Sequence, residues 1–368
     1  MMKRLVFSAL VLLAFGSCSK KQAPEEPKPI PVHISRAISK DVPYYISTVG
    51  HMEAYEVVNL MGQVNGQLMK TYFADGANVK QGQLLYLIDQ RSYLADLEKA
   101  EGELEQNLAN LGYAERTAER NAKLVKDEYI SQNDYDNLIT NVISGDGAVK
   151  QSRANIDNAK INLGYTTIYA PLDARAGESQ IRDGNLILES AKTTLVTLNK
   201  ITPIYSVFYI NEKDLPAVQR YQAQFQNLKV FVTVEDVNTP TYEGKLTFID
   251  NGIDISTGMI KLKGTHPNED KILWPNEYIK VKLILDTLEN AVIVPFEAVQ
   301  TSPNGKYLYV VKGNKTVERR DVTVGQIQED NTIVVTKGLK AGEKVVTVGQ
   351  LNLYPGAKVT IAQTKEDE

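Results

Sequence analysis

The sequence predicts a mainly β protein with a long α-helical hairpin inserted between two strand-rich regions. Segments of alternating apolar residues, separated by glycine- or asparagine-containing turns, run from Val32 to Asp89 and resume at Ile168. Between them, apolar residues recur at spacings of three and four, which predicts helices. Because the chain has 368 residues, it is too long for one compact core and we expect several domains.

The first eighteen residues predict a cleaved lipoprotein signal peptide. Lys3 and Arg4 precede the apolar run Leu5–Phe15, which is much shorter than the ~20 residues of a membrane-spanning helix. Two small residues then precede Cys18, and this arrangement resembles the lipobox of bacterial lipoproteins, although Phe15 stands where leucine is usual. The alternative is an ordinary signal peptide with an incidental thiol. Residues 1–17 form the predicted signal peptide, and residues 18–31, rich in Lys, Glu and Pro, form a tether.

Composition excludes several classes of protein. The net charge is −4, and lysines and arginines are interspersed with acids along the chain, so the basic stripe of a nucleic-acid-binding protein is missing. Cys18 is the single cysteine, and the three histidines His33, His51 and His266 are far apart. We therefore expect no disulfide within the chain, no metal site and no bound cofactor apart from acyl chains on Cys18.

The first predicted helix begins near Ser92 and continues to Val125 without a proline. Glu101 and Glu115 occupy two positions of its apolar stripe where an apolar residue is missing. Such a stripe needs a partner helix to bury it. Its apolar members are Leu94, Leu97, Leu104, Leu108, Leu111, Ala118, Ala122 and Val125.

A second stripe follows after the short polar turn Lys126–Asn133, which predicts an antiparallel hairpin over residues 92–160. Gly145 and Ser152 interrupt this stripe, and the segment Gly145–Gly147 predicts a soft point or kink because glycine disfavours helix. Its members are Tyr135, Leu138, Val142, Val149, Ile156, Ala159 and Leu163.

The two regions that flank the hairpin resemble each other. Asp75-Gly76 lies before Val79 in one flank, and Asp183-Gly184 lies before Ile187 at the same spacing in the other. Each flank has about four short strands with a glycine turn where a positive φ is expected. Two such halves resemble the biotinyl/lipoyl carrier domain, a flattened β-sandwich, here over residues 57–91 and 161–199.

The remaining segments predict two more β domains. Strands from Ile201 to Asp286, with one helix over Glu212–Gln226, suggest a small barrel of residues 48–56 and 200–289. A last block has hairpin signals at Pro303–Gly305 and Lys312–Asn314. We expect this block, residues 290–363, to pair with residues 32–47, and residues 364–368 to form a tail.

No catalytic motif is recognisable. A carrier domain holds its modified lysine on the turn that joins its two halves, but here the helical hairpin stands at that position. Asp250 and Asp254 lie in a segment that indicates a turn stabilised by Asx and Thr side chains rather than a carboxylate pair. We therefore predict that the protein is not an enzyme.

With this layout, the chain resembles the periplasmic adaptor family (membrane fusion proteins, HlyD/AcrA-like) of resistance-nodulation-division (RND) tripartite efflux pumps. The most specific stretch is Gly244–Lys263, and Leu273–Ile279 follows with Asn276 where the family usually has glycine. Gly338–Val346 is similar to the signature of the family's final domain.

The resemblance implies an elongated modular chain of a membrane-proximal β domain, a small β-barrel, a lipoyl-like β-sandwich and an antiparallel coiled coil. It further implies a periplasmic protein, lipid-anchored to the inner membrane through Cys18, and no nucleic-acid partner. Its implied partners are an inner-membrane RND transporter, an outer-membrane channel of the TolC type and further copies of itself in a ring, a trimer or hexamer.

The hairpin tip matches a residue pattern of the family, Arg-x3-Leu-x6-Ser, as Arg120, Leu124 and Ser131. The resemblance implies that these residues face the tip of the outer-membrane channel. The alternative is that Leu124 packs inside the hairpin, Arg120 is solvated and Ser131 only caps the second helix.

Three other functions remain open. The first is an adaptor for an ATP-driven exporter of the macrolide type, the second a biotin or lipoyl carrier subunit, and the third a structural coiled-coil lipoprotein. The sequence leaves open the exported substrate and whether the transporter is driven by protons or ATP.

Overall fold

The computed structural model describes residues 28–234 and 240–362; Cys18 and the predicted signal peptide lie outside them. The chain divides into two compact units. The central unit is Tyr45–Leu285, and the terminal unit is the described part of Met1–Tyr44 and Asp286–Glu368. No helix in the described ranges is long and apolar enough to cross a membrane.

The elements follow the predicted order of strands, two long helices, and strands again. The first strands are β1 (Ile30–Arg36), β2 (Ile38–Met61), β3 (Gly66–Thr71), β4 (Asn78–Val79) and β5 (Leu84–Ile88), and the hairpin consists of α1 (Arg91–Lys126) and α2 (Gln132–Tyr165). After the hairpin come β6 (Thr167–Tyr169), β7 (Ala174–Ala176), β8 (Leu186–Ile187), β9 (Thr194–Asn211), α3 (Leu215–Phe225), β10 (Lys229–Val234), β11 (Tyr242–Asp254), β12 (Met259–His266) and β13 (Tyr278–Pro295). The last strands are β14 (Gln300–Ser302), β15 (Gly305–Val311), β16 (Val317–Asp321), β17 (Thr323–Ile327), β18 (Thr332–Lys337), β19 (Lys344–Val348) and β20 (Val359–Ile361).

In the terminal unit, the N-terminal strand pairs with the C-terminal block as predicted. β1 pairs antiparallel with β19 and parallel with β20. Val32, Val346 and Val359 are buried together in the resulting core. Both predicted hairpins form, because β14 pairs with β15 across the first signal and β15 with β16 across the second.

In the central unit, six strands close into a barrel in the order β13-β10-β11-β12-β9-β2, because β2 pairs with both β13 and β9. Burial alternates along β12, where Ile260, Leu262, Gly264 and His266 are buried and the residues between them are more exposed. Such alternation is expected of strands with one face on a core. The predicted helix is α3, and its Val218 is fully buried.

The two flanks of the hairpin pair with each other strand by strand. β3 pairs with β8, β4 with β7 and β5 with β6. Gly76 and Gly184, the two equivalent turn glycines, have φ of 76° and 90°, as predicted. Val79 and Ile187 enter one shared core. The lipoyl-like sandwich is therefore assembled from residues on both sides of the hairpin.

Candidate functional site

The hairpin starts and ends at adjacent strands of the sandwich. Ile88, the last residue of β5, donates its backbone N–H to the carbonyl of Thr166 at 2.8 Å. Gln90 Nε2 donates to Thr166 Oγ1 at 2.8 Å and to Thr167 Oγ1 at 3.0 Å. These bonds tie the first residue before α1 to the residues after α2. The helices thus leave the sandwich from a hydrogen-bonded base.

An exposed ion pair lies at the same base. Arg91 Nη2 is 2.6 Å from Asp89 Oδ2. Hydrogen bonds from Arg91 lower the pKa of Asp89 to about 2. Asp89 is therefore charged at neutral pH, and the base of α1 carries this ion pair.

The seam of α1, meaning the side of the helix that packs against α2, differs from the predicted apolar stripe. Leu108 is 44% exposed, Leu94 is exposed as well, and so are Glu101 and Glu115 at the predicted missing positions. The residues directly before Glu101, Leu108 and Glu115 face α2 instead. The observed seam alternates by three and four through Leu97, Ala100, Leu104, Asn107, Leu111, Ala114, Ala118, Asn121 and Val125, all buried or half-buried. Every second seam position thus holds alanine or asparagine, which lets the helices approach closely.

The seam of α2 has the predicted members, but Gly145 and Ser152 belong to it and do not interrupt it. A Cβ added to Gly145 would lie 3.2 Å from Leu111 Cδ1 and 3.3 Å from Leu111 Cα. Ser152 is buried, and its Oγ accepts a hydrogen bond from Asn107 Nδ2 at 2.7 Å. α2 also continues through Gly145–Gly147 without a break. Gly145 gives room for the side chain of Leu111 on the facing helix, whereas the sequence indicated only a weak point in α2.

At the tip, α1 ends in a Schellman arrangement. Glu128 adopts a φ of 57°, its N–H donates to the carbonyl of Val125 at 3.2 Å, and Tyr129 N–H donates to the carbonyl of Leu124 at 2.9 Å. These bonds satisfy carbonyls that the helix end would otherwise leave free. Tyr129 is 78% exposed, so the tip presents an aromatic side chain that the sequence analysis did not single out.

Ser131 caps α2. Its Oγ accepts from the N–H of Asp134 at 3.2 Å and donates to the Asp134 carboxylate at 2.7 Å. The serine and the acid three residues later resemble a capping box. The capping role considered for Ser131 is therefore present.

Arg120 and Leu124 both lie on the outside of α1. Arg120 is exposed, and its guanidinium donates to the Arg116 carbonyl at 3.2 Å and to Thr117 Oγ1 at 3.4 Å, both on its own helix. Leu124 is 40% exposed, whereas Val125 occupies the seam. The alternative in which Leu124 packs inside the hairpin is wrong, because the seam passes one residue later.

The other candidate positions are structural. Asp254 Oδ1 accepts from the N–H of Ser256 at 2.8 Å and from the N–H of Thr257 at 3.3 Å, and hydrogen bonds from Ser256 lower the pKa of Asp254. His266 is buried with Nε2 2.9 Å from Ser206 Oγ. In the described ranges, no three His, Cys, Asp or Glu side chains come together as a metal site.

Family models match three parts of the chain. The α-helical hairpin domain of RND MFPs matches residues 96–166, their β-barrel domain residues 203–287, and their C-terminal permuted SH3 domain residues 290–350. MFP denotes membrane fusion protein. The three matches fall on the hairpin, the barrel and the C-terminal strands.

Curated relatives and solved structures agree with these matches. Multidrug resistance protein MdtA of Xenorhabdus bovienii is 36% identical over 340 residues, which cover 92% of this chain and 82% of the relative. MdtA of Yersinia enterocolitica is 36% identical over 335 residues, or 90% and 75% of the two chains. The crystal structure of MacA from Actinobacillus actinomycetemcomitans has a TM-score of 0.64 at 22% identity and covers 85% of this chain and 98% of that chain. A MacA–MexA chimera with the Pseudomonas aeruginosa MexA α-hairpin domain has a TM-score of 0.58 at 25% identity, with coverage of 85% and 99%.

Proposed function

The chain belongs to the membrane fusion protein family of RND efflux systems, and we propose from this premise that it is a periplasmic adaptor of a tripartite multidrug efflux pump. It joins an inner-membrane RND transporter to an outer-membrane channel. The observation that carries the proposal is the insertion of the hairpin between the paired halves of the sandwich, tied at its base by Gln90 and Thr166. The matches to three RND MFP domains support the same assignment.

The proposed mechanism is assembly without bond chemistry. In a carrier domain, the turn between the two halves presents a lysine, whereas here only Asp89 and Gln90 separate β5 from α1, and only Thr166 separates α2 from β6. This junction therefore supplies a rigid arm in place of a modified residue. Mass spectrometry of the purified protein tests this, and a biotinylated or lipoylated lysine would contradict it.

The hairpin tip is the proposed contact with the channel. Arg120 offers guanidinium N–H groups and Leu124 an exposed apolar side chain on the same side of the last turns of α1. Neither side chain contributes to the seam, so both are free to contact another protein without unpacking the hairpin. Ser131 keeps the chain in its tip conformation by capping α2.

Variants of the tip test this contact. We expect Arg120→Asp and Leu124→Asp to lower drug resistance in cells and to abolish crosslinks between adaptor and channel, because each change places a carboxylate in the contact. Leu108→Asp is the matched control, since Leu108 is exposed to a similar degree on the same helix but far from the tip. Parental resistance in both tip variants would contradict the proposal.

The membrane anchor is proposed to be a set of acyl chains on Cys18. Two or more chains give durable attachment, whereas one chain gives only marginal binding. Metabolic labelling with radioactive palmitate should label the parent chain but not Cys18→Ser, and the variant should move to the soluble periplasmic fraction. A parent chain without label would contradict the anchor.

An adaptor for an ATP-driven exporter is the second candidate. The likeness to MacA shows the fold alone at 22% identity, whereas the 36% identical relatives are named multidrug resistance protein MdtA. The class of transporter that co-purifies with the chain distinguishes the two candidates.

A further inference from the structure

The loop between β19 and β20 in the terminal unit exposes large apolar side chains. Leu351 is 98% exposed and Tyr354 is 51% exposed, and Val348, the last residue of β19, is 55% exposed. Leu353 lies between the two loop residues but is buried in one core with Val32. The loop therefore turns one apolar side chain inward and leaves its apolar neighbours in water, which is unfavourable for side chains of this size.

Hydrogen bonds hold this loop in one conformation. Tyr309 Oη donates to the carbonyl of Leu353 at 2.9 Å. The N–H of Ala357 donates to the carbonyl of Tyr354 at 3.0 Å, and Gly356 has a φ of 87°, as in a type II turn with proline at its second position. The loop thus presents its exposed side chains from a fixed backbone.

The loop lies where the predicted tether, residues 18–31, enters the terminal unit. At its start, a Cβ added to Gly349 would lie 2.9 Å from the carbonyl oxygen of Pro31. At its end, the N–H of Ile30 donates to the carbonyl of Lys358 at 3.0 Å. Both ends of the loop therefore adjoin the first residues of β1.

Three exposed lysines lie at the same edge of the unit. Lys28 comes two residues before Ile30, and Lys358 follows the loop. The third is Lys315, whose carbonyl accepts a hydrogen bond from the N–H of Val359 at 2.9 Å. The apolar loop is therefore accompanied by positive charge.

Acidic side chains are scarce at this edge. Residues 28–40, 305–317 and 344–362 contain none. Glu318, which follows the second of these segments, pairs with Lys312 at 3.4 Å and with Arg320 at 2.9 Å. The acidic residues 366–368 come after β20, which runs parallel to β1 and so leads away from the edge. The edge therefore attracts a negatively charged surface.

The length of the tether limits how far this edge can lie from an anchored Cys18. Ten residue steps separate Cys18 from Lys28, and a fully extended chain spans at most about 3.6 Å per residue, or roughly 35 Å in all. A flexible chain of this length has a mean end-to-end distance of about 16–19 Å. Acyl chains on Cys18 would therefore keep the edge close to the bilayer.

We propose that this edge, formed by Leu351 and Tyr354 with Lys28, Lys315 and Lys358, binds the surface of a bilayer that contains anionic phospholipid. The inference rests on the proposed acyl anchor and goes beyond it, because folded protein then contacts the lipid. Tyrosine suits the membrane interface since its ring is apolar and its hydroxyl is polar. Each lysine close to the surface adds attraction to anionic head groups. The contact fixes the orientation of the terminal unit, which a flexible tether leaves free.

The contact is weak by itself. Two apolar side chains bury less surface than one acyl chain, and a single acyl chain gives only marginal, reversible binding. The anchor raises the local concentration of the edge at the bilayer, so the weak contact persists. The Cys18→Ser chain is therefore still released into the soluble fraction, although it carries the same edge.

A fluorescent label on the loop tests the contact. The acylated Leu351→Cys chain is labelled with an environment-sensitive maleimide and reconstituted into vesicles of phosphatidylcholine and phosphatidylglycerol. We expect a blue-shifted emission that is protected from an aqueous quencher. Ile38→Cys is the matched control and should show neither effect, because Ile38 is 50% exposed beyond the opposite end of β1, a strand roughly 20 Å long. The parent chain, with Cys18 acylated, should take up no label.

Three results would overturn the proposal, and they separate it from the adaptor function. An unshifted label at position 351, in a chain that incorporates palmitate and co-purifies with an RND transporter, would remove the lipid contact and leave the anchor and the adaptor function intact. A shift that appeared only with the transporter in the vesicles would show that the loop faces protein. A parent chain without palmitate would remove the anchor, and this inference with it.

Binding of the unacylated chain measures the edge on its own. The chain from position 18 onwards, with Cys18→Ser, should co-sediment at low salt with vesicles that contain phosphatidylglycerol, and Lys315→Gln and Lys358→Gln should each weaken this binding by about fivefold. Leu351→Asp should weaken it as well, whereas the matched control Ile38→Asp should not. Equal binding of the two aspartate variants, or equal binding to vesicles of phosphatidylcholine alone, would contradict the contact.

Discussion

At the residue scale, Ser131 serves the hairpin itself through its two hydrogen bonds to Asp134. The sequence motif suggested a docking role, and the geometry adds a capping role that any contact with the channel must preserve. The two roles can be separated because asparagine is also a good N-cap and can donate to the Asp134 carboxylate, whereas it is larger than serine.

We therefore predict opposite outcomes for two substitutions at Ser131. Ser131→Ala should destabilise the hairpin by about 1 kcal/mol through loss of the cap, measured by thermal unfolding followed by circular dichroism. Ser131→Asn should keep most of this stability, because its amide oxygen can cap α2 and its amide N–H can donate to the Asp134 carboxylate, but the larger side chain should lower resistance where Ser131 contacts the channel. Parental stability and parental resistance in Ser131→Asn would show that Ser131 is only a cap.

His266 predicts a dependence of stability on pH. Burial lowers its pKa to about 4, below the ~6.5 of an unfolded histidine. Between these values the unfolded chain binds more protons, so this residue's stabilising contribution is full above pH 6.5 and decreases as the pH falls towards 4. The loss attributable to His266 is about 3 kcal/mol, at 1.4 kcal/mol for each unit of pKa.

Denaturant unfolding at pH 7 and at pH 4.5 measures this effect. His266→Gln should lose less stability than the parent on acidification, because glutamine does not titrate. The difference between the parent and the variant isolates His266 from the carboxylates, which titrate in both. An equal loss in both chains would show that His266 is not buried in the neutral form.

At the scale of elements, the sequence predicted both helices, the strand order and the two equivalent glycine turns. It misplaced half of the α1 seam because apolarity favoured Leu108 over its neighbour Asn107. Asn107 is in the seam because it pairs with Ser152 on the facing helix, and a contact between helices is not readable from one helix alone. The positive φ of the turn glycines Gly76 and Gly184, by contrast, depends only on the local backbone, and the sequence therefore predicts it.

Gly145 and Gly147 give a matched test of the seam. Gly147→Ala should stabilise the hairpin by up to about 1 kcal/mol, because alanine favours helix and nothing of this copy lies within 4 Å. Gly145→Leu should destabilise it by about 1–3 kcal/mol through overpacking against Leu111. Thermal unfolding of the two variants measures both effects, and equal stabilities would contradict the observed seam.

The contact between sandwich and barrel within the central unit is open to a fluorescence test. The guanidinium of Arg175, in β7 of the sandwich, lies 4.6 Å from the ring centroid of Trp274, which precedes the barrel strand β13. Trp274 is the single tryptophan of the chain, so the emission reports the surroundings of this residue, which include Arg175. Arg175→Ala should shift the emission maximum and increase acrylamide quenching, whereas Lys200→Ala should leave both unchanged; an unaltered spectrum in Arg175→Ala would contradict the contact.

At the scale of the whole molecule, the divided sandwich is the base from which the hairpin extends. Its halves are joined by the pairing of β3, β4 and β5 with β8, β7 and β6 and by one shared core. The sequence predicted this nested order from the similarity of the two flanks. It could not predict which sides of the helices remain unpartnered, because that depends on the seam register.

Affinity purification of the full chain from mildly solubilised membranes tests the central claim most directly. We expect that an RND transporter and an outer-membrane channel co-purify with the parent chain, and that Leu124→Asp loses the channel but keeps the transporter. Recovery of an ATP-driven exporter, or of no inner-membrane transporter, would contradict it.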